Sequence, residues 1–182
     1  MSEHTIALHA ASLADTHAIA AAVAELSRPG DIIVLSGEMG AGKTAFAQAF
    51  GAAAGVTDRI TSPTYTLVHS YPVEAGPRAG KVTLHHADLY RLERTAEVAD
   101  LALREMAEFD GIVLVEWGDV VDVFGDHLII HLAASADESG DVDGDDDVLS
   151  LDGTRDIDVG VVGGGWAGRW QRLLDEVGDY RC

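Results

Sequence analysis

Apolar and polar positions along the 182-residue chain form alternating blocks that predict strands and helices in succession. The runs "DIIVLSG" and "GIVLVEWGD" have continuous apolar centres rich in β-branched residues, which is typical of strands buried on both faces. Further strands are predicted at 4–10, 61–73, 80–90, 126–134 and 154–163. The pair at 61–73 and 80–90 is joined by "EAGPRAG", so these two segments predict a hairpin.

Four segments have the composition and spacing of helices: 12–26, 43–54, 95–110 and 166–178. Ser12 and Asp15 form a capping box at the start of the first helix, and "SRPG" ends it. One face of the last helix is apolar and comprises Trp170, Leu173, Leu174 and Val177.

The chain reads "GEMGAGKT" between the strand at 31–37 and the helix at 43–54, which is the G-x-x-x-x-G-K-[ST] spacing of a phosphate-binding loop (P-loop). Gly37 and Gly42 allow backbone conformations that a side chain would block. The N–H groups of the turn and the positive end of the helix dipole would face phosphates. Lys43 would reach the β- and γ-phosphates, and the Thr44 hydroxyl would coordinate magnesium. The full predicted phosphate-binding set is Gly37, Met39, Gly40, Ala41, Gly42, Lys43 and Thr44.

The motif predicts ATP and Mg²⁺ as cofactors and defines the expected fold class. Strands alternate with helices early in the chain and cluster as antiparallel pairs later. We therefore expect an α/β, P-loop NTPase-like three-layer fold with a mixed parallel/antiparallel central sheet, as a single P-loop ATPase domain over residues 1–182.

Two acids end predicted strands and are candidates for the chemistry beside the loop. Glu116 follows the apolar run 112–115 and could hold magnesium or orient the attacking water, or be an ordinary strand-terminal acid facing solvent. Asp88 is a second candidate for the metal or the water. The paired His85 and His86 suggest zinc, but neighbours in a strand point to opposite faces, so structural histidines are the better interpretation.

The formal charge of −19 disfavours direct, extensive binding to nucleic acid. Residues 137–158 carry ten acids and one base, and we interpret 135–149 as an acidic surface insertion. That stretch lacks the spacing of an EF-hand, which argues against a calcium site. The single cysteine, the lack of a secretory signal and the lack of a long apolar run predict a cytoplasmic protein that does not interact with membranes.

Other classes of P-loop protein lack their signatures here. There is no N-K-x-D motif of regulatory GTPases and no L-S-G-G-Q motif of transporter ATPases. A small-molecule kinase would bring an arginine-rich lid, for which the chain offers only the loose cluster Arg91, Arg94 and Arg104. The residues alone thus predict an ATP-binding protein with slow hydrolysis or phosphoryl transfer. A small-molecule kinase and an ATP-regulated interaction protein remain as alternatives.

Four blocks taken together resemble the TsaE family (also called YjeE), the ATPase subunit of bacterial tRNA threonylcarbamoyladenosine biosynthesis. They are "GEMGAGKTAFAQAF", "TSPTYTLVHSY", "HADLYRL" and "VLVEWGD". The resemblance implies a weak ATPase that is activated by the TsaB and TsaD proteins and reaches tRNA only through that complex. The acidic stretch and the tail with "GGGWAGRW" do not match the family pattern.

The resemblance also implies roles for individual residues. Lys43, Asp88 and Glu116 would be catalytic, and Thr44 and Glu116 would hold the metal. Trp117 would either report on the site, pack at a partner surface or pack in the core. The implied switch-like segment comprises Ser62, Pro63, Thr64 and Tyr65, and the implied adenine and ribose contacts are Ser12, Thr16 and Arg155.

Overall fold

The computed structural model describes residues 4–63, 67–90, 102–120, 124–135 and 153–182. The strands in these ranges are β1 His4–Ala10, β2 Ile32–Ser36, β3 Val68–Pro72, β4 Thr83–Asp88, β5 Gly111–Glu116, β6 His127–Ala134 and β7 Arg155–Val162. The helices are α1 Leu13–Leu26, α2 Lys43–Ala54, α3 Leu103–Glu108 and α4 Ala167–Glu176. Short 3-10 turns lie at Gly118–Val120 and Gly178–Tyr180.

All seven strands belong to one sheet in the order β1-β7-β6-β2-β5-β4-β3. The four central strands β6, β2, β5 and β4 are parallel to one another. The outer pairs β1–β7, β7–β6 and β3–β4 are antiparallel. The prediction of a mixed sheet, and of a hairpin formed by β3 and β4, is therefore confirmed.

Alternate residues of the central strands pack into two separate cores, one on each face of the sheet. In β2, Ile33 and Leu35 face the core shared with α1, α2 and α4, whereas Ile32 and Val34 face the core shared with α3. Because both faces of the sheet are covered, the two innermost strands β2 and β5 contain continuous apolar runs, as the sequence indicated. The predicted three-layer α/β fold is confirmed.

Three predicted segments differ from the structure, and a fourth lies outside the described residues. The strand predicted over 61–73 is a strand only over Val68–Pro72 among the described residues. The helix predicted over 95–110 is helical only from Leu103 among the described residues, because Ala102 has a left-handed backbone (φ +51°). The closing helix ends at Glu176, earlier than the predicted 178, and a 3-10 turn follows it. The acidic stretch predicted at 135–149 lies outside the described residues from position 136 onwards, so its role as an insertion stays a prediction.

The parallel register brings the carboxyl ends of β2, β5 and β4 to one edge of the sheet. Glu116 of β5 is the register partner of Leu35 in β2 and of Asp88 in β4. The loop that follows β2 therefore leaves the sheet directly beside these two acids, at the edge where open α/β sheets bind ligands.

Candidate functional site

Both glycines of the P-loop motif have positive φ. Gly37 has φ +130°, and a Cβ atom added there would lie 2.1 Å from the carbonyl oxygen of Leu132 in β6. Gly42 has φ +104° and is the N-cap residue of α2. Since non-glycine residues rarely adopt positive φ, and Gly37 also lacks space for a side chain, the loop conformation follows from its two motif glycines.

Lys43 begins α2 and points into the loop. Its side chain is buried, and the ammonium donates hydrogen bonds to the carbonyl oxygens of Gly37 and Glu38, both at 2.7 Å. The same Nζ atom lies 3.8 Å from the ring centroid of Trp117, a cation–π contact.

Burial lowers the pKa of Lys43, and the carboxylates of Glu116, Asp88 and Asp119 oppose that shift. The loop lysine is thus held inside the site by backbone carbonyls and an aromatic ring.

Glu116 is 3% exposed, which excludes the interpretation as a strand-terminal acid facing solvent. The hydroxyl of Thr44 donates to both of its carboxylate oxygens, at 3.1 Å and 3.2 Å. The two residues predicted to hold the metal are therefore in direct contact, one at the start of α2 and the other at the end of β5.

His86 is a site residue whose position the sequence interpretation missed. Its ring is fully buried, and Nε2 lies 2.9 Å from Oε1 of Glu116. His85 points to the other face, where Nδ1 lies 2.8 Å from the hydroxyl of Ser70 and burial lowers the pKa of the ring. Both histidines are hydrogen-bonded, as predicted, but His86 shares its strand face with Asp88 two residues later, a signal that could have placed it at the site.

Asp88 connects the site to the segment predicted to act as a switch. Its Oδ2 accepts a hydrogen bond of 2.5 Å from the hydroxyl of Ser62, and its Oδ1 accepts one of 3.0 Å from the backbone N–H of Tyr90. Pro63 is buried and follows Ser62, whereas Thr64 and Tyr65 lie outside the described residues. The described half of the switch-like segment is therefore attached to the acid at the end of β4.

Residues before Ser62 are also attached to regular elements. The side-chain amide of Gln48 in α2 donates to the carbonyl oxygen of Ile60 at 3.0 Å. The backbone N–H of Thr61 donates to the hydroxyl of Tyr71 in β3 at 3.3 Å. Displacement of this segment would thus break hydrogen bonds with both α2 and the β3–β4 hairpin.

A cleft of about 300 Å³ lies over these groups. Trp117 lines it with a left-handed backbone (φ +62°), and its ring lies 5.0 Å from that of Tyr90. Trp117 also packs against the core beneath α3, so it belongs to both the cleft and the core. Two lining residues are largely exposed, Met39 at 67% and Tyr90 at 55%. The remaining lining residues are Gly40, Gly42, Lys43, Thr44, Ala45, Ser62, Asp88 and Glu116.

Two of the three candidate adenine and ribose contacts meet in a small recess next to this cleft. Thr16 and Arg155 line the recess, and Gly42 and Ala45 line both it and the cleft. The Nε atom of Arg155 donates to the carbonyl oxygen of Ala41 at 3.1 Å, directly behind the P-loop.

Ser12, the third candidate, is placed differently. Its hydroxyl accepts the backbone N–H of Asp15 at 3.2 Å, and its carbonyl oxygen accepts the Thr16 hydroxyl at 3.4 Å. It caps α1 as predicted, beside the recess residue Thr16 but with its own hydroxyl turned to the helix.

The oxygen ligands that this cleft offers fit a magnesium ion bound together with a nucleotide. Within the described ranges, no group of three His, Cys, Asp or Glu side chains could hold a metal ion. Mg²⁺ is usually bound by one or two protein oxygens, with water and substrate phosphates completing its six ligands. One hydroxyl from Thr44 and one carboxylate from Glu116 match that requirement.

Comparison with known proteins identifies the family. The family profile described as "Threonylcarbamoyl adenosine biosynthesis protein TsaE" matches residues 10–141, well over half of the chain. The chain belongs to the TsaE family. The resemblance seen in the sequence blocks is thereby confirmed, and the P-loop, Asp88 and Glu116 lie inside the matched range, whereas Arg155 lies outside it.

Individual members of the TsaE family show the extent of the similarity. A protein of Bacillus subtilis (strain 168) named tRNA threonylcarbamoyladenosine biosynthesis protein TsaE is 38% identical over 108 residues, covering 59% of this chain and 63% of that relative. The protein of the same name from Streptomyces coelicolor is 35% identical over 123 residues, covering 65% and 79%. The crystal structure of Bacillus subtilis YdiB superposes with a TM-score of 0.65 at 27% identity, covering 98% of this chain and 97% of YdiB.

Among the helices in the described ranges, none is both long and apolar enough to cross a membrane.

Proposed function

We propose that this chain is a Mg²⁺-dependent ATPase that supports tRNA threonylcarbamoyladenosine modification together with TsaB and TsaD proteins. The observation that carries the proposal is the contact between Thr44 and Glu116 beneath a P-loop. It pairs the loop hydroxyl with an acid at the end of the neighbouring strand, which is the arrangement that P-loop NTPases use for the metal. The names of the relatives support a role for this activity in tRNA threonylcarbamoyladenosine biosynthesis.

Nucleotide binding would rest on the loop and the adjoining recess. The backbone N–H groups of residues 37–44 and the start of α2 would hold the phosphates, and Lys43 would compensate their charge. The recess lined by Thr16 and Arg155 supports adenine or ribose binding there, because it adjoins the loop through Gly42 and Ala45.

Hydrolysis would use the acids at the sheet edge. Thr44 and Glu116 would hold Mg²⁺, which when bound would neutralise charge on the nucleotide phosphates. Asp88 faces the same cleft and would orient the attacking water. Since Asp88 also accepts the hydrogen bond from Ser62, the position of the switch-like segment and that of the water would be linked.

The composition of the cleft supports slow turnover by the isolated chain. Its described lining contains Lys43 as its basic residue and no arginine. An arginine placed beside the transferred phosphoryl group is worth roughly 10³–10⁵ in rate, so its absence from the described lining supports weak basal activity.

Activation would then come from partners. Docking onto the TsaB–TsaD pair would complete the site, and the γ-phosphate would bias the switch-like segment between two states. ATP turnover would reset the partner complex rather than supply phosphate to the transfer reaction. With a charge of −19 the chain would reach tRNA only through that complex, and it would act in the cytoplasm, where tRNA is modified.

Phosphate release from ATP by the purified protein tests the enzymatic part of this proposal. Lys43→Ala and Glu116→Ala should each reduce the rate to the background of the assay. Glu108→Ala, which removes an exposed acid of α3 outside the cleft, should keep the wild-type rate. Wild-type hydrolysis in the Lys43→Ala variant would refute the assignment of the site.

A further inference from the structure

The ring of His86 has one hydrogen-bonding atom engaged and the other without a described partner. Nε2 lies 2.9 Å from Oε1 of Glu116, and the side chain is 0% exposed. Nδ1 is buried and has no hydrogen-bond partner among the described residues. Because a buried polar atom without a partner is unfavourable, packing alone would be served better by an apolar side chain at this position. The contact with Glu116 is therefore the property that favours histidine over an apolar residue at position 86.

The direction of this hydrogen bond follows from the chemistry of its two ends. An ionised carboxylate only accepts hydrogen bonds, so the proton of the His86–Glu116 contact lies on Nε2. The Thr44 hydroxyl donates to the same carboxylate from the opposite element, α2. Glu116 is thus held between a donor on β4 and a donor on α2.

We propose that His86 is a positioning residue that fixes the carboxylate of Glu116 for Mg²⁺; this inference rests on the proposed function. His86 holds Oε1 from within the sheet, which restricts rotation of the carboxylate and keeps both of its oxygens within reach of Thr44. As a metal ligand, the Thr44 hydroxyl would no longer be available to Glu116, and His86 would be the described side chain that still orients the acid. Partners of this kind typically contribute 10–100-fold to metal affinity.

The Mg²⁺ dependence of nucleotide binding tests the proposal without relying on activity. A non-hydrolysable ATP analogue is titrated calorimetrically into the full-length protein at a series of Mg²⁺ concentrations and, separately, in EDTA. His86→Leu removes the donor and keeps an apolar volume in the core. We expect its apparent Mg²⁺ affinity to fall by roughly 10–100-fold, while nucleotide affinity in EDTA stays within about twofold of wild type.

Two more substitutions separate the hydrogen bond from packing. In His86→Gln the amide nitrogen lies near the former position of Nε2 and can still donate to Glu116, so this variant should regain most of the Mg²⁺ affinity. In His86→Asn the amide is too short to reach Glu116, so the loss should resemble that of His86→Leu. The matched control is His85→Leu on the opposite strand face, which should leave the Mg²⁺ dependence unchanged.

The outcomes distinguish the inference from the proposed function. Wild-type Mg²⁺ affinity in both His86→Leu and His86→Asn would overturn the role of His86 and leave the ATPase proposal standing. If His86→Leu does not fold, equal Mg²⁺ affinities in the Gln and Asn variants would overturn the inference by themselves. Absence of Mg²⁺-dependent nucleotide binding in the wild-type protein would overturn both.

Discussion

Substitution of Gly37 by alanine examines the close approach between the P-loop and β6. The added Cβ atom would lie 2.1 Å from the carbonyl oxygen of Leu132, whereas Cβ atoms essentially never approach other atoms within 3.0 Å. Either the loop or β6 must therefore move by about 1 Å, against the repulsive wall of a van der Waals contact. Both are backbone segments held by the sheet, so the displacement cannot be absorbed by a side-chain rotation.

Substitutions at two other glycines separate the backbone strain of positive φ from the steric clash. At Gly80 (φ +71°) a Cβ atom would meet nothing within 4 Å, so Gly80→Ala reports the strain of positive φ alone, about 1–2 kcal/mol. At Gly42 (φ +104°) the nearest atom would be Nε of Arg155 at 3.8 Å, an ordinary contact. Gly37→Ala adds the clash to the strain, and we expect it to lose at least about 3 kcal/mol of unfolding free energy.

Urea unfolding and calorimetric ATP titration of the three variants measure the two consequences separately. Stability should fall most in Gly37→Ala, and by similar smaller amounts in Gly42→Ala and Gly80→Ala. ATP affinity should fall in both loop variants, because the phosphate-binding N–H groups depend on the positive-φ backbone of the loop, and it should stay at the wild-type value in Gly80→Ala. The reasoning would be refuted if Gly37→Ala lost no more stability than Gly80→Ala.

Three further predictions concern other contacts. Arg169 is buried and donates to both carboxylate oxygens of Asp31, at 2.5 Å and 2.8 Å. Arg169→Met should lower the free energy of unfolding in urea by about 3–5 kcal/mol, because the Asp31 carboxylate is left buried without its ion-pair partner. A loss below about 1 kcal/mol would contradict this prediction. A hydrogen bond from His9 lowers the pKa of Asp156 in the folded state. The charged carboxylate therefore stabilises the folded state at pH values above the unfolded pKa of about 4. This contribution is lost as the pH falls through the lower, folded-state pKa. Asp156→Asn should thus be less stable than wild type at pH 7, by under about 1 kcal/mol because the Asp156 side chain is half exposed. The difference in unfolding free energy should shrink in acid. A difference that does not depend on pH would argue against the His9–Asp156 interaction. Finally, Thr44→Val keeps the shape of the side chain but removes the hydroxyl, and should weaken Mg²⁺-dependent nucleotide binding at least about tenfold while binding in EDTA is retained, as calorimetry would show.

The sequence specified the central part of the fold because local and long-range requirements agree there. Strands covered on both faces require continuous apolar runs such as those at 32–35 and 112–115, and the two cores confirm that reason. The P-loop was predictable for the same kind of reason: Gly37 and Gly42 occupy backbone conformations that other residues rarely adopt. The positions of Glu116 and Asp88 at one sheet edge follow from strand ends that could be read from hydrophobicity alone.

Features that depend on register between strands distant in the sequence were harder to predict. His86 contacts Glu116 thirty positions later, through the pairing of β4 with β5, and nothing local to "LHHAD" specifies that partner. Ala102 lies in a stretch of good helix formers and yet has a left-handed backbone, so local propensity does not determine the conformation at that residue. Likewise, the recess lined by Thr16 and Arg155 joins α1 to β7 across most of the chain, a proximity that only the complete sheet creates.

Phosphate release from ATP with and without a TsaB–TsaD complex tests the central claim most directly. The assay compares the wild-type protein, Lys43→Ala, Glu116→Ala and the Glu108→Ala control at saturating Mg²⁺. We predict a slow basal rate that rises when TsaB–TsaD is added, in the wild type and the control but in neither site variant. A wild-type rate that does not change on addition of TsaB–TsaD would contradict the account, because the nucleotide site would then act independently of those partners.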